Sequence, residues 1–103
     1  MEFTNVKLIG KANIYDGGKV NSRTFYTQSG ERKTLGFMQS GEYTFNTAAA
    51  ELMEVIQGEM SAMLPGDNEF HSYAAGTSFN VPANSSFKLI VKEYADYCCS
   101  YFD

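Results

Sequence analysis

The stretch "GEYTFNTAAAELMEVIQGEM", residues 41–60, gives the clearest indication of the fold class. In its first part, apolar Tyr43 and Phe45 alternate with polar Glu42 and Thr44. A period of two residues is typical of a β-strand with one buried face. The pattern therefore predicts a strand, with its aromatic side chains directed into a core.

The second part of this stretch predicts a further pair of strands. "LMEVIQ" and "EMSAML" flank Gly58, and a glycine between two apolar runs is typical of a hairpin turn. Residues 47–56, which overlap the first of these runs, contain helix-forming alanines. Since β-branched Val55 and Ile56 favour a strand, we expect one helical turn at most here.

The rest of the chain has the same character. "PGDNE" at 65–69 is a strong turn signal, and "TSFNVP" ends at Pro82. "SSFKLIVK" (85–92) alternates again, and "YADYCCSYF" (94–102) predicts a terminal strand. We expect eight or nine short strands with turns every 8–12 residues, which indicates a single all-β sandwich or barrel.

Composition excludes several classes of function. The 103 residues carry a net charge of -4 with only 8 Lys and Arg, a poor basis for binding nucleic acid. One local arginine can still hold a small anion on an acidic protein. We find no apolar run long enough for a signal peptide or a membrane span, so we expect a cytoplasmic protein with no membrane partner. Adjacent Cys98 and Cys99 predict free thiols, one buried and one less so.

Two glycine-framed segments resemble the conserved motifs of cupins. Gly41, Glu51 and Gly58 match the first motif, while Thr47 and Ala49 stand where its two histidines would be. In the second motif Gly76 and Pro82 match, but its later glycine, histidine and asparagine are replaced by Asn84, Phe87 and Val91. The chain has one histidine, His71, which lies outside both motifs and which we expect at the surface. A site built from several imidazoles of one chain is therefore impossible.

A closer resemblance is to the pyrimidine/purine nucleoside phosphorylases, a family of small cupins. It rests on "GKV", "RKTLGFM", "GEYTF", "ELMEVIQGEM", "MLPG", "YAAGTSFNVPANSSFKL" and "YCCSYF", in that order. It covers residues 15–103 and leaves 1–14 as an extension. The resemblance implies a metal-free, cofactor-free homodimer with the cupin double-stranded β-barrel (jelly roll). It also implies cleavage of purine and pyrimidine ribonucleosides by inorganic phosphate to free base and ribose 1-phosphate.

Phosphorolysis requires that phosphate be held beside the sugar. Within the family-like block, Arg32 is the best phosphate ligand, although a solvated surface arginine is an equally good interpretation. Thr44 and Thr47 offer hydroxyls from the expected barrel face, or else they simply fill cross-strand positions. Arg23, Lys33 and Lys88 are better read as surface residues.

The sugar and the base require other groups. We expect Glu51 to bind a ribose hydroxyl and to stabilise positive charge on the sugar. Glu54 faces the same side only if this segment is helical. Tyr73, Phe79 and Phe87 are candidates for stacking on the base, although each is also a plausible core aromatic.

Two alternatives remain open at this point. One is a non-catalytic cupin that binds a sugar or a nucleoside-like molecule with the same residues. The other is a metal-dependent cupin whose ligands come from more than one subunit. A dimer would also cover the edge strands that a short barrel leaves exposed.

Overall fold

The computed structural model describes residues 1–103, which form seven β-strands and one short 3-10 turn, Asp16–Gly18. The strands are β1 Lys7–Tyr15, β2 Val20–Tyr26, β3 Arg32–Asn46, β4 Ala50–Met63, β5 His71–Ala74, β6 Ser78–Val81 and β7 Ser86–Phe102. The all-β class is confirmed. The expected number of strands is wrong, because three strands of 14 to 17 residues each include what the pattern divided into two.

All pairings are antiparallel, and the strand order is β1-β2-β3-β7-β4-β5, with β6 also paired to β4. The central strand is β7. It pairs along nearly its whole length with β3 on one side and with β4 on the other. None of the helical segments has the length and hydropathy that a membrane-spanning helix requires.

Gly58 lies inside β4 and does not form the predicted hairpin turn. Its φ is +78°, and a Cβ there would clash with the Tyr94 carbonyl oxygen. The register against β7 shifts between Gly58 and Ser61, which is the signature of a β-bulge. Residues 47–56 form no helical turn, which agrees with the expectation of one at most, since β4 begins at Ala50. Gly41 likewise lies at a register shift within β3.

The core is formed by the inward faces of the long strands. The predicted alternation in β7 is seen directly: Phe87, Leu89 and Val91 are each at most 3% exposed. Buried methionines, Met38 from β3 and Met53 from β4, pack in the same cluster. Each buried side chain of this size contributes about 1.5–3 kcal/mol to folding, so this face holds the sheet in its rolled form.

The first strand forms the outer edge of the sheet. β1 pairs with β2, with a register irregularity between Leu8 and Ala12. The boundary predicted between residues 14 and 15 therefore falls at the end of β1. Two large apolar side chains on β1, Leu8 and Ile14, are about 60% exposed.

Candidate functional site

A cavity of about 280 Å³ penetrates the rolled sheet. Pockets that bind small molecules begin at about 300 Å³, so this one is of the right order for a compact ligand. Fifteen residues line it, and eleven of them are hydrophobic. The few polar groups include Arg32 and Glu51. Three of the predicted site residues, Arg32, Glu51 and Phe87, are brought together here.

The alternation of β4 determines which carboxylate enters the cavity. Glu51 and Met53 face inward and line it, whereas Glu54 lies on the opposite face and borders a separate surface depression beside Gly76 and Thr77. Because the segment is a strand, the two carboxylates cannot share one site. The role predicted for Glu54 has no support from its position.

Glu51 is half-buried and held by a thiol. Cys99 Sγ donates a hydrogen bond to Glu51 Oε1 at 3.4 Å. Burial among apolar neighbours raises the pKa of the Glu51 carboxyl, while the Cys99 hydrogen bond and the nearby charge of Arg32 oppose that rise. A carboxylate in these surroundings gains from accepting further hydrogen bonds, such as those from sugar hydroxyls.

Arg32 takes part in the one ion pair of the structure. Its Nε donates to Asp103 Oδ2 at 2.9 Å, and its Nη2 donates to Asp103 Oδ1 at 2.7 Å. The guanidinium lies 3.9 Å from the centroid of the Tyr101 ring, a cation–π contact. The hydrogen bonds to Asp103 raise the pKa of Arg32. The cation is thus fixed at the lining of the cavity.

Three further lining residues come from β7, and the sequence interpretation missed them: Tyr97, Cys99 and Tyr101. Burial raises the pKa of each of these groups. All three are in phase with Phe87 at a period of two residues. Treating residues 85–92 and 94–102 as separate strands concealed that phase.

The two thiols are free, as expected, but both are buried. Cys99 faces the cavity, and Cys98 faces the other side of the sheet near Lys33 and Glu54, where burial raises its pKa to about 11. The expectation that one thiol would be less buried is wrong, because β7 is the central strand and both of its faces are covered here.

Aromatic side chains form one wall of the cavity. Tyr15 meets Phe45 edge-on with ring centroids 6.0 Å apart, and Phe45 lies 5.9 Å from Phe87. Tyr73 and Phe79 pack against each other at 4.5 Å but do not line the cavity. Tyr15, at the end of β1, was not singled out because no strand was predicted over the residues that precede it.

The two threonines lie elsewhere. Thr44 is exposed on the outer face of β3. Thr47 is 7% exposed, and its hydroxyl donates to the Pro82 carbonyl oxygen at 2.7 Å and accepts from the Ser85 backbone N–H at 3.0 Å. Its neighbours Asn46 and Ala48 line the cavity, but its own hydroxyl is already in use. The phosphate-binding roles predicted for both threonines have no support from these positions.

His71 is exposed at the start of β5, as expected for a surface residue. Nowhere in the chain are three or more His, Cys, Asp or Glu side chains arranged to hold a metal ion. The donor set of the cavity, one carboxylate and one thiol, does not fit the usual metal site of the cupin fold.

The comparisons with known sequences agree with one another. The sequence model described as pyrimidine/purine nucleoside phosphorylase matches residues 10–101. A protein of that name from Syntrophotalea carbinolica is 59% identical over 97% of this chain and 96% of its own length. Another of that name, from Clostridioides difficile, is 56% identical over 97% of this chain and 95% of its own length.

Solved structures show the same fold. A protein of unknown function from Acinetobacter superimposes with a TM-score of 0.94 at 38% identity, covering 98% of both chains. An RmlC-like cupin from Shewanella frigidimarina superimposes with a TM-score of 0.69 at 17% identity, covering 98% of this chain and 89% of the other. The second likeness shows the fold alone, and it confirms the predicted cupin-type barrel.

Proposed function

The chain belongs to the pyrimidine/purine nucleoside phosphorylase family, and from this premise we propose that the cavity containing Arg32 and Glu51 is its active site. The protein is a pentosyltransferase that cleaves purine and pyrimidine nucleosides with phosphate, giving free base and ribose 1-phosphate. The observation that carries the assignment of the site is the meeting of one cation and one inward carboxylate in an otherwise apolar cavity.

Phosphate binds at Arg32 in this proposal. The planar guanidinium presents paired N–H donors that match two oxygens of a phosphate. Arg32 is the only Lys or Arg side chain at the cavity, so no other cation is available there to hold an anion beside the sugar. Stacking on Tyr101 limits the freedom of the side chain, which lowers the entropy cost of binding.

The ribose binds at Glu51. Its carboxylate accepts hydrogen bonds from ribose hydroxyls and stabilises the positive charge that develops on the sugar as the glycosidic bond breaks. The Cys99 thiol occupies one side of Oε1 and holds the carboxylate in place. Phosphate attacks C1′ as the base departs, so the cation and the carboxylate act at the two charged parts of the transition state.

The base lies against the aromatic wall of Tyr15, Phe45 and Phe87. Stacking is tolerant of base identity because every base has a π-face. A wall of this kind therefore suits an enzyme that accepts both purines and pyrimidines. Catalysis needs no metal in this proposal, and a chelator is expected to leave the rate unchanged.

Phosphate dependence is the direct test. Purified protein is incubated with uridine, adenosine or inosine, with and without inorganic phosphate, and base and ribose 1-phosphate are separated by chromatography. We expect both products in equal amounts and only when phosphate is present. Nucleoside binding by calorimetry without either product would identify a non-catalytic binding protein instead.

A homodimer is proposed on the exposed apolar side chains of two strands: Leu8, Ile9 and Ile14 of β1, and Leu35 and Phe37 of β3. A second copy would cover these side chains and the unpaired edge of β1. Light scattering after size exclusion tests this, and a monomer at micromolar concentration would contradict it. The two free, buried thiols fit the reducing cytoplasm that we propose as the compartment.

A further inference from the structure

We propose that Asp103 sets the affinity of the enzyme for phosphate, by occupying the Nε–Nη2 edge of Arg32 and competing with phosphate for those donors. The inference rests on the proposed function, since it takes Arg32 as the phosphate ligand. It assigns a role to a residue outside the cavity lining, one that no sequence pattern connects with Arg32.

The geometry of the contact is that of a bound oxyanion. Asp103 places its two carboxylate oxygens on Nε and Nη2 of Arg32, at 2.9 and 2.7 Å. Two phosphate oxygens seek the same pair of parallel N–H donors. The carboxylate is therefore a stand-in for phosphate on the same edge, and it neutralises the charge that attracts the dianion.

Arg32 does not depend on Asp103 to stay in place. Its guanidinium stacks on the Tyr101 ring at 3.9 Å, and β3 fixes its backbone through the pairing of Tyr26 with Arg32. Departure of Asp103 leaves this cation–π contact intact. The freed edge is then open to phosphate.

The contact is exchangeable because it is solvated. The side chain of Asp103 is 56% exposed and that of Arg32 is 32% exposed. Exposed ion pairs contribute between zero and about 1 kcal/mol, which corresponds to a factor of at most about five in an equilibrium constant. Asp103 thus competes with phosphate without excluding it. Its pKa lies below the ordinary range because Arg32 donates to it, so the competitor remains charged at neutral pH.

The test measures phosphate affinity in Asp103→Asn and Asp103→Ala. Initial rates are followed over a range of phosphate concentrations at saturating uridine. We expect KM for phosphate to fall about two- to fivefold in both variants, with KM for uridine unchanged. Asp96→Asn is the matched control. It removes the same charge from β7 outside the cavity, and phosphate KM should stay at the wild-type value.

A higher KM for phosphate in the Asp103 variants would overturn the inference, because Asp103 would then be orienting Arg32 for phosphate. An unchanged KM would overturn it as well. Calorimetric titration with inorganic phosphate alone separates this inference from the proposed function. If no variant releases base but Asp103→Asn binds phosphate more tightly than wild type, the assigned activity fails and the role of Asp103 stands.

Discussion

Two polar side chains predicted to bind phosphate, Thr47 and Arg32, are held in opposite ways. The Thr47 hydroxyl is buried and bonded to the backbone of Pro82 and Ser85 on the neighbouring loop. Arg32 is partly exposed and bonded to a single solvated carboxylate, Asp103. The contacts of Thr47 hold the loop against the end of β3. The contact of Arg32 with Asp103 can open, which leaves the guanidinium free to bind another anion.

The difference shows what makes a polar group available to a ligand. Removing a buried partner leaves an unsatisfied group, which costs about 1–3 kcal/mol, so Thr47 is committed to structure. An exposed ion pair costs at most about 1 kcal/mol to open, so Arg32 is available. Both side chains are polar and lie at or next to the cavity lining, so the ease with which each can exchange its partner decides between them.

The largest effect is expected from a substitution at Glu51, which lines the same cavity as Arg32. Glu51→Gln keeps the shape of the side chain but removes the charge that, in the proposed mechanism, stabilises the sugar in the transition state. We expect kcat to fall about 100-fold, the loss typical of one electrostatic group in an active site. Steady-state rates with uridine measure it. Glu54→Gln, on the opposite face of β4, is the control and should stay within about twofold of wild type.

Arg32→Ala comes next. It removes the only cation of the cavity, and losing hydrogen bonds from a charged group costs about 1.5–3 kcal/mol, which predicts a phosphate KM about 10- to 100-fold higher. Arg32→Lys should recover only part of the loss, because an ammonium lacks the paired donors. Arg23→Ala serves as control, since Arg23 is exposed and donates to the Gly10 carbonyl oxygen at the sheet edge. Equal effects at 23 and 32 would contradict the assignment of the phosphate site.

Thr47→Val tests whether the Thr47 hydroxyl serves the stability of the fold and not the binding of phosphate. The change keeps the volume and removes the hydroxyl, so the free energy of unfolding should fall by about 1–3 kcal/mol. Urea unfolding measures the loss. Phosphate KM should remain at the wild-type value, and a change in KM without loss of stability would place Thr47 in the site after all. Thr44→Val, at an exposed position on β3, should change stability by less than about 0.5 kcal/mol.

The smallest effect is a pH dependence of stability. Burial raises the pKa of Glu51 in the folded state above its value in the unfolded chain. At a pH between these two pKa values, the native protein therefore binds more protons than the unfolded chain. The contribution of Glu51 to the free energy of unfolding is full below pH 4.5, the ordinary pKa of its carboxyl, and it is lost as the pH rises through the raised pKa. The stability difference between wild type and Glu51→Gln, measured by urea unfolding from pH 4 to pH 8, should therefore decrease as pH rises. An increase would contradict the burial argument.

The strand pattern predicted the fold class because Tyr43, Phe45 and Phe87 alternate cleanly with polar residues. It failed at Gly58, since a glycine with positive φ looks the same in a sequence whether it forms a hairpin or a bulge within one strand. Local pattern has no information on which long strand lies beside which. The all-β class could thus be predicted from alternation, but the seven-strand arrangement could not.

The lining of the candidate site could be predicted only where it follows the alternation of a strand or the family resemblance. Glu51, Arg32 and Phe87 were selected as candidates in that way, and the structure brings them to one cavity. Asp103 could not be found, because its contact with Arg32 spans 71 positions and depends on the pairing of β3 with β7. Tyr15 was missed because the sequence interpretation predicted no strand over the residues of β1, which Tyr15 ends.

The central place of β7 also has a consequence for how the chain reaches this structure during synthesis. β3 and β4 do not pair with each other, and each finds its long partner only in β7, which follows both along the chain. The pairing of Lys33 with Ser100 joins residues 67 positions apart. Proteins dominated by such distant pairings fold in about milliseconds to seconds. Until β7 leaves the ribosome, β3 and β4 lack their shared partner, so assembly of this cavity is necessarily a late event.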